Sequence, residues 1–217
     1  MKLKQIFLTI IAFLRSRKRN KIIVLGKQEY LRMCEDNCGH DIKAIPHTTP
    51  TVKELAIIAE IEKAMPYKPK YWTIAQLIRS QTAINRGLPN IPNETEVANL
   101  YGLMEHLLDP MAEMWYAKYP ERKLTVNLNL SSISGFRTWE INGLVGGSRT
   151  SDHPNGSASD ICAGGAKWNR KLFAMVRDAE KLQFDQMYGI TGRNSGPFAS
   201  VHMSYRIGAN RNQLITV

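Results

Sequence analysis

A chain of 217 residues, 43% hydrophobic and 22% charged, has enough apolar material for a core of ordinary size, which excludes a wholly disordered or fibrous protein. Three cysteines, Cys34, Cys38 and Cys162, do not make a disulfide framework. The net charge of +10 is lopsided: residues 1–21 hold seven basic side chains and no acid, leaving +3 for everything after them, so the charge belongs mainly to a leader and nucleic acid is not expected as a partner.

Within the leader, Ile6–Leu14 is a nine-residue apolar run between basic residues, far short of the ~20 residues that span a bilayer. Arg15-Ser-Arg-Lys-Arg19 stands where a secretory signal would place its small-residue cleavage site, so the chain is expected to be made in the cytoplasm without a clear signal peptide. Three readings of residues 1–21 stay open: an interfacial helix on an anionic membrane surface, a disordered or partner-bound leader, or an atypical signal sequence. Lys21–Gly26 suits a short β segment, and the leader is taken as residues 1–26. Cys34-x₃-Cys38-x-His40 has the makings of half a metal site, but no second pair follows at finger-like spacing, and reduced incidental thiols are the better reading. Thr51–Met65 repeats apolar residues at helical spacing until Pro66 and Pro69 stop it. Residues 27–70 therefore read as an extension with one helix, and residues 71–217 as the main domain.

In that domain Thr73–Arg86 predicts a helix stopped by Gly87, and Leu88-Pro-Asn-Ile-Pro92 a rigid turn. Asn93 and Glu96 form a capping box. The helix it opens carries Val97, Leu100, Tyr101, Met104, Leu107 and Leu108 on one face, and Asp109-Pro110 should kink or break it before Ala112–Tyr119. Leu124–Leu130 and Ser132–Gly135 suit strands, Gly143–Gly147 a loop, and Trp168–Leu182 an amphipathic helix. Phe184–Tyr188 and the segment around His202 suit further strands. Helices first, then a small antiparallel sheet with a helix packed on it, is an α+β layout.

The chemistry concentrates in two short segments. His153 and Asp160 lie seven positions apart in Ser151-Asp-His-Pro-Asn-Gly-Ser-Ala-Ser-Asp160, and His202 sits in Ser200-Val-His-Met-Ser-Tyr205. Two imidazoles and one carboxylate suit Zn²⁺ in a hydrolytic site, where three protein ligands leave a fourth position for water. On a strand Ala158 and Asp160 share one face, and a carboxylate aimed inward needs a partner such as a metal. Gly156 lets the chain turn between His153 and Asp160. The plain alternative is a solvated aspartate and a surface histidine in a polar loop.

Company decides between them. Ser134-Gly-Phe-Arg137, Asn142, Val145-Gly-Gly147, Ser151-x-His153, Gly156-x-Ala158-x-Asp160-Ile161, Phe184-Asp-Gln186 and Val201-His-x-Ser-Tyr205 follow one another in order. Together they resemble the zinc D-alanyl-D-alanine carboxypeptidase family, LAS-type cell-wall peptidases that include phage endolysins, over roughly Tyr71 to Arg211. The resemblance implies a zinc cofactor held by His153, Asp160 and His202, and a substrate in the stem peptide or cross-link of peptidoglycan. Arg137 matches the residue that stabilises a developing oxyanion or holds a substrate carbonyl or carboxylate, a task suited to a fixed planar cation; an ordinary ion pair is its alternative. Ser151 and Asn142 are substrate-facing or loop-shaping, and Trp139 is a substrate wall or a core anchor. A phage-type member would act at the cell wall, in lysis or from a virion, with the leader against an anionic membrane.

The pattern is broken in one respect. Ala199 stands three residues before His202, where relatives carry an acid, and Gly189 and Ile190 stand where phage-type relatives often carry Glu. Asp185 is the nearest acidic candidate for the general base, or else a carboxylate orienting a histidine ligand. Asp152 is the weaker candidate. A zinc-stabilised muropeptide-binding or virion structural module without catalysis is the alternative that this gap suggests.

Overall fold

The computed structural model describes residues 23–26, 59–126, 135–192 and 196–216. Its centre is a six-stranded sheet in the order β1-β6-β4-β5-β3-β2. The strands are β1 (Ile23–Gly26), β2 (Thr125–Val126), β3 (Ala158–Cys162), β4 (Gln186–Gly192), β5 (Gly196–Ser204) and β6 (Gln213–Thr216). The antiparallel sheet expected from the sequence is the β4-β5-β3-β2 portion. Two parallel neighbours extend it, β6 against β4 and β1 against β6, so the whole sheet is mixed. The layout is α+β.

Strand pairing sorts the side chains onto two faces, because direct cross-strand neighbours point the same way. Ile161, Val201, Met203, Met187 and Leu214 lie on one face and join the apolar core. Asp160, His202, Tyr188 and Ile215 are mutual neighbours on the other. The core is closed by helices. Asn93 and Glu96 form the expected reciprocal cap on α3 (Glu94–Leu103), which buries Val97, Leu100, Tyr101 and Leu103. The chain does not break at Asp109-Pro110. It widens into a π turn over Met104–Leu108 and continues as α4 (Asp109–Lys118). Asp109 donates its N–H five residues back to the Met104 carbonyl, and the wider turn makes room for the proline ring that an α-helical turn would strike. The helix expected over Trp168–Leu182 runs instead over Ala166–Arg177 (α6), with Leu172 and Val176 buried; Ala179 and Leu182 lie beyond its end.

Two further departures bear on the site. The helix expected over Thr73–Arg86 divides into α1 (Ile74–Ile78) and α2 (Gln81–Arg86), with extended backbone at Arg79 between them. The loop expected over Gly143–Gly147 starts inside a helix, α5 (Trp139–Leu144), capped by the Thr138 hydroxyl. Trp139 opens that helix half-buried and is not part of the main core. Residues 59–64 are helical, as far as the Thr51–Met65 helix is described. The leader helix, Cys34, Cys38, His40 and most of the Leu124–Leu130 and Ser132–Gly135 segments fall outside the described residues.

The proline-rich stretch before the main domain is pinned by one buried carboxylate. Asp109, 3% exposed, accepts hydrogen bonds from the Tyr67 hydroxyl, from the Lys70 amide at 2.6 Å and from the Tyr71 amide at 3.1 Å. Hydrogen bonds to an ionised group contribute about 1.5–3 kcal/mol each, and removing the acceptor strands three donors. Asp109→Ala is expected to lower the unfolding free energy by at least about 2 kcal/mol, with Asp109→Asn intermediate. Urea denaturation of the two variants checks this.

Candidate metal centre

The three donors meet. His153 Nε2 lies 3.2 Å from His202 Nδ1 and 3.4 Å from Asp160 Oδ1, and the last two atoms are 2.9 Å apart. All three side chains are at least 96% buried. A tetrahedral ion with bonds of ~2.0–2.1 Å needs its ligand atoms about 3.3–3.4 Å apart, close to these edges. Two neutral nitrogens and one carboxylate oxygen are also the donor chemistry that zinc takes in hydrolytic sites. Among the described residues this is the one group of three that could hold a metal ion.

Each donor is delivered by a different piece of local structure. Asp160 sits on β3 directly opposite His202 on β5, so the sheet register alone brings them together. His153 opens a short 3₁₀ turn, His153–Asn155, which ends at Gly156 with φ +73°. A Cβ at Gly156 would also lie 2.3 Å from the Glu96 carbonyl oxygen, so the turn needs glycine on two counts. Ser151 accepts the His153 amide at 3.4 Å through its hydroxyl. Of the two roles expected for Ser151, shaping this loop is the one its hydrogen bond serves.

The His153 ring is oriented from behind. Its Nδ1 contacts the Gly135 carbonyl at 2.6 Å, so Nδ1 carries the proton and Nε2 presents its lone pair to the site. Gly135 is held in turn by the broken helix. The Phe136 amide donates to the Leu77 carbonyl at 2.7 Å, and a Cβ on Gly135 would lie 2.2 Å from that same oxygen. Asn90, in the rigid Leu88–Pro92 turn, donates to the Ile78 and Phe136 carbonyls and accepts the Thr138 amide. The division between α1 and α2 thus frees carbonyls that clamp residues 135–138. Sequence reasoning missed Asn90 and the backbone role of Gly135; an asparagine between two prolines was the available signal. The His202 ring stacks on Tyr188, centroids 4.5 Å apart and planes 19° apart.

Arg137 stands on the same clamp, 7% exposed. Its Nε donates to Asn142 Oδ1 at 2.9 Å, while Asn142 Nδ2 donates to the Ser148 carbonyl at 2.9 Å. Asn142, 2% exposed, shapes the loop and aims the arginine through these two hydrogen bonds. Gly147 leaves the space that Asn142 fills, since a Cβ there would be 2.1 Å from Oδ1.

Electrostatics inside the site are steep. Burial, with the Arg137 charge, pushes the His153 imidazole down to about 4 despite the opposing pull of Asp160. Burial pushes the Asp160 carboxyl up, but the charges and hydrogen bonds of His153 and His202 outweigh it and hold the group well below the usual carboxylate range. Arg137 is lowered by burial, with Asp160 opposing.

The acids expected to move protons are placed differently. Asp185, fully buried, meets Arg211 Nε at 2.7 Å, Arg211 Nη2, the Arg211 amide at 3.2 Å and Arg206 Nε at 3.3 Å. Both its oxygens are committed to guanidinium groups, and neither meets a histidine ring among the described residues. Asp152 shares Arg206, with Oδ1 2.8 Å from Nη2, but its buried Oδ2 has no hydrogen-bond partner. Burial raises the Asp152 carboxyl, with the Arg206 charge opposing. Ala199 is buried, and Ile190 shares the sheet face of His202 without an acid to offer.

A family model described as Peptidase M15 matches residues 70–203. The chain belongs to that family. Peptidase M15 proteins are zinc enzymes, and the buried His-Asp-His group found here fits a zinc ion. No curated protein matches the chain.

Two measurements test this geometry. Gly135→Ala must move either the Leu77 carbonyl or the segment behind His153, and the zinc dissociation constant should rise about 10–100-fold, the range for a lost outer partner; titration with a chelating indicator reads it. Acid should unfold the metal-free protein. The folded His153 pKa lies below its ordinary 6.5, so this contribution to stability is whole above pH 6.5 and lost as pH falls through about 4. Asp160, depressed as well, acts in the same direction at lower pH. The melting temperature should therefore drop between pH 6.5 and 4 by more in the protein than in His153→Gln.

Proposed function

We propose that this protein is a zinc-dependent peptidase hydrolysing a peptide bond of bacterial peptidoglycan, in a stem peptide or a cross-link, with His153, Asp160 and His202 as metal ligands. The observation that carries the proposal is the buried triangle of two nitrogens and one oxygen with edges of 2.9–3.4 Å. Zinc bound there supplies a coordinated water acidified towards neutral pH and polarises the scissile carbonyl.

The chain's own residues prepare the reaction around it. Low basicity keeps His153 neutral and able to ligate at neutral pH. Arg137, locked through Nε by Asn142, holds a fixed positive charge where negative charge grows on the carbonyl oxygen. Its rigidity matters because a donor that need not reorganise stabilises the transition state more than the ground state. Proton transfer to the leaving amine requires an acid–base group. With Asp185 tied to two arginines, Asp152 is the acid of this neighbourhood that keeps an oxygen outside any hydrogen bond, and the proposal gives it that task.

A phage-type role in lysis or wall penetration suits the resemblance of the motifs. The protein would be made in the cytoplasm and act at the wall, its basic residues 1–21 holding it near an anionic membrane. One observation favours a second reading: with Ala199 and Ile190 where relatives carry acids, the site could bind zinc and muropeptide without turnover.

Purified protein incubated with peptidoglycan, with zinc measured beside the release of free amines, separates the two. One zinc per chain with amine release supports the peptidase. One zinc with muropeptide binding and no release from pH 5 to 9 supports the module. Asp160→Ala should weaken zinc by more than the roughly 100-fold of an outer-partner loss and abolish hydrolysis; full zinc occupancy in this variant would show the ligand set misassigned. Asp152→Asn should lower kcat while keeping zinc. Asp185→Asn should chiefly lower the melting temperature, because it removes the buried charge to which half-buried Arg206 and Arg211 are anchored.

A further inference from the structure

Away from the metal centre, residues 118–123 and 166–177 carry seven basic side chains and one acidic one, while the rest of 22–217 holds fifteen basic against eighteen acidic. Two of the seven, Arg122 and Arg177, are paired with their neighbours Glu121 and Asp178, and the net positive charge of these segments comes from the end of α4 and the outer side of α6. Lys167, Arg170 and Lys171 are exposed at i, i+3 and i+4 on α6, hence on one stripe, while Asn169, Leu172 and Val176 are buried beneath. Among the described residues, none of Lys118, Lys167, Arg170 and Lys171 has a carboxylate within 4.0 Å.

Aromatic rings stand in for the missing acids. Trp168 and Tyr119 meet edge-on at 5.4 Å. Arg122 lies 4.4 Å and Lys171 4.5 Å over the Trp168 ring, and Lys118 lies 5.7 Å over Tyr119. Cation–π attraction lets these like charges sit together. It also covers the ring faces, removing the open platforms on which single-stranded nucleic acids stack their bases. Beside the rings a cleft of about 370 Å³ runs between α4 and α6, with Lys118 and Lys171 in its lining, Met114, Ala174 and Met175 as apolar wall, and Asp178, paired with Arg177, as its one acid. Such a surface fits a chain in which anionic groups alternate with short uncharged spacers.

We propose that this face docks a linear polyol-phosphate polymer of the bacterial wall. Charge complementarity and the covered rings carry the choice of a phosphate polymer, and its assignment to the wall rests on the peptidase reading. Because α6 packs its buried side on the core face of the sheet, a polymer docked outside it leaves His153, Asp160 and His202 on the opposite face open. The contact is therefore a tether that raises local substrate concentration without touching the chemistry.

The test uses the full chain and a fluorescent glycerol-phosphate oligomer, titrated at several salt concentrations. Lys167→Gln/Arg170→Gln/Lys171→Gln should weaken binding at least about tenfold at low salt and flatten the salt dependence by two to three units of slope, with zinc content unchanged. Lys167→Gln/Arg170→Gln, which keeps Lys171 on both rings, should lie between and melt like the parent. Unchanged affinity in both variants overturns the proposal by placing any binding on the leader. Equal or tighter binding of single-stranded DNA of the same charge, or of vesicles of the same anionic lipid charge, overturns the wall polymer in favour of those partners. Since the readout is binding, polymer capture without peptide hydrolysis would count against the peptidase reading and leave the docking face standing.

Discussion

The register of β3 against β5 is the constraint on which the site depends. Asp160 faces His202 because the two residues are direct cross-strand partners. A slip of one residue would turn one of them into the apolar core and leave a carboxylate or an imidazole among Val201, Met203 and Met187. That outcome is unfavourable enough to hold the register from the other side: the apolar face needs Ile161, Val201 and Met203 inward, and the polar face follows. Core packing and metal chemistry thus select the same alignment. His153 is the donor that the sheet does not supply, and it arrives on a 3₁₀ turn braced through Gly135 by helices at the start of the domain.

This division explains what could be read from the sequence. The ligands were legible because each lies in a short segment whose residue types are unusual together, and because a strand's alternation fixes which side chains share a face. The cap at Asn93 was legible for the same reason, being local. Asn90 and Gly135 were not, since they act through backbone carbonyls of residues far along the chain and leave no periodic trace. Gly143 inside α5 and Gly146 and Gly147 just after it disguised the helix as a loop, although Thr138 caps it. Pro110 suggested a break that the π turn absorbs. Parallel pairing of β6 and β1 could not be foreseen, because four-residue strands carry no mark of their neighbours.

Acids show how a motif can keep its residues and change their meaning. Asp185 stands in the Phe-Asp-Gln segment that the resemblance singles out, yet its oxygens are spent on Arg206 and Arg211. Arg206 also holds Asp152, so two buried aspartates and two half-buried arginines form one knot joining the loop before His153 to the strand that carries His202 and to β6. A knot of this kind is costly to desolvate and is retained where it fixes geometry that apolar packing would leave loose. Here it ties together the segments on either side of the metal ligands. The unpartnered Oδ2 of Asp152 is the one place where that network stays open.

The basic surface was missed for a related reason. Its charges come from two segments more than forty residues apart in sequence, each unremarkable alone, and only the packing of Trp168 against Tyr119 brings them together. With that surface outside α6 and the donors on the far face, the sheet separates two kinds of recognition. On one side steep local charge is compensated within a buried site; on the other, Lys118, Lys167, Arg170 and Lys171 face solvent with more basic than acidic neighbours. Asn169, on the buried side of α6, bonds to both strands that carry facing donors: it accepts the Ala163 amide just after β3 and donates to the Phe198 and Ala199 carbonyls of β5. A shift of that one side-chain amide would move the ends of β3 and β5 together, the two strands whose register sets Asp160 opposite His202.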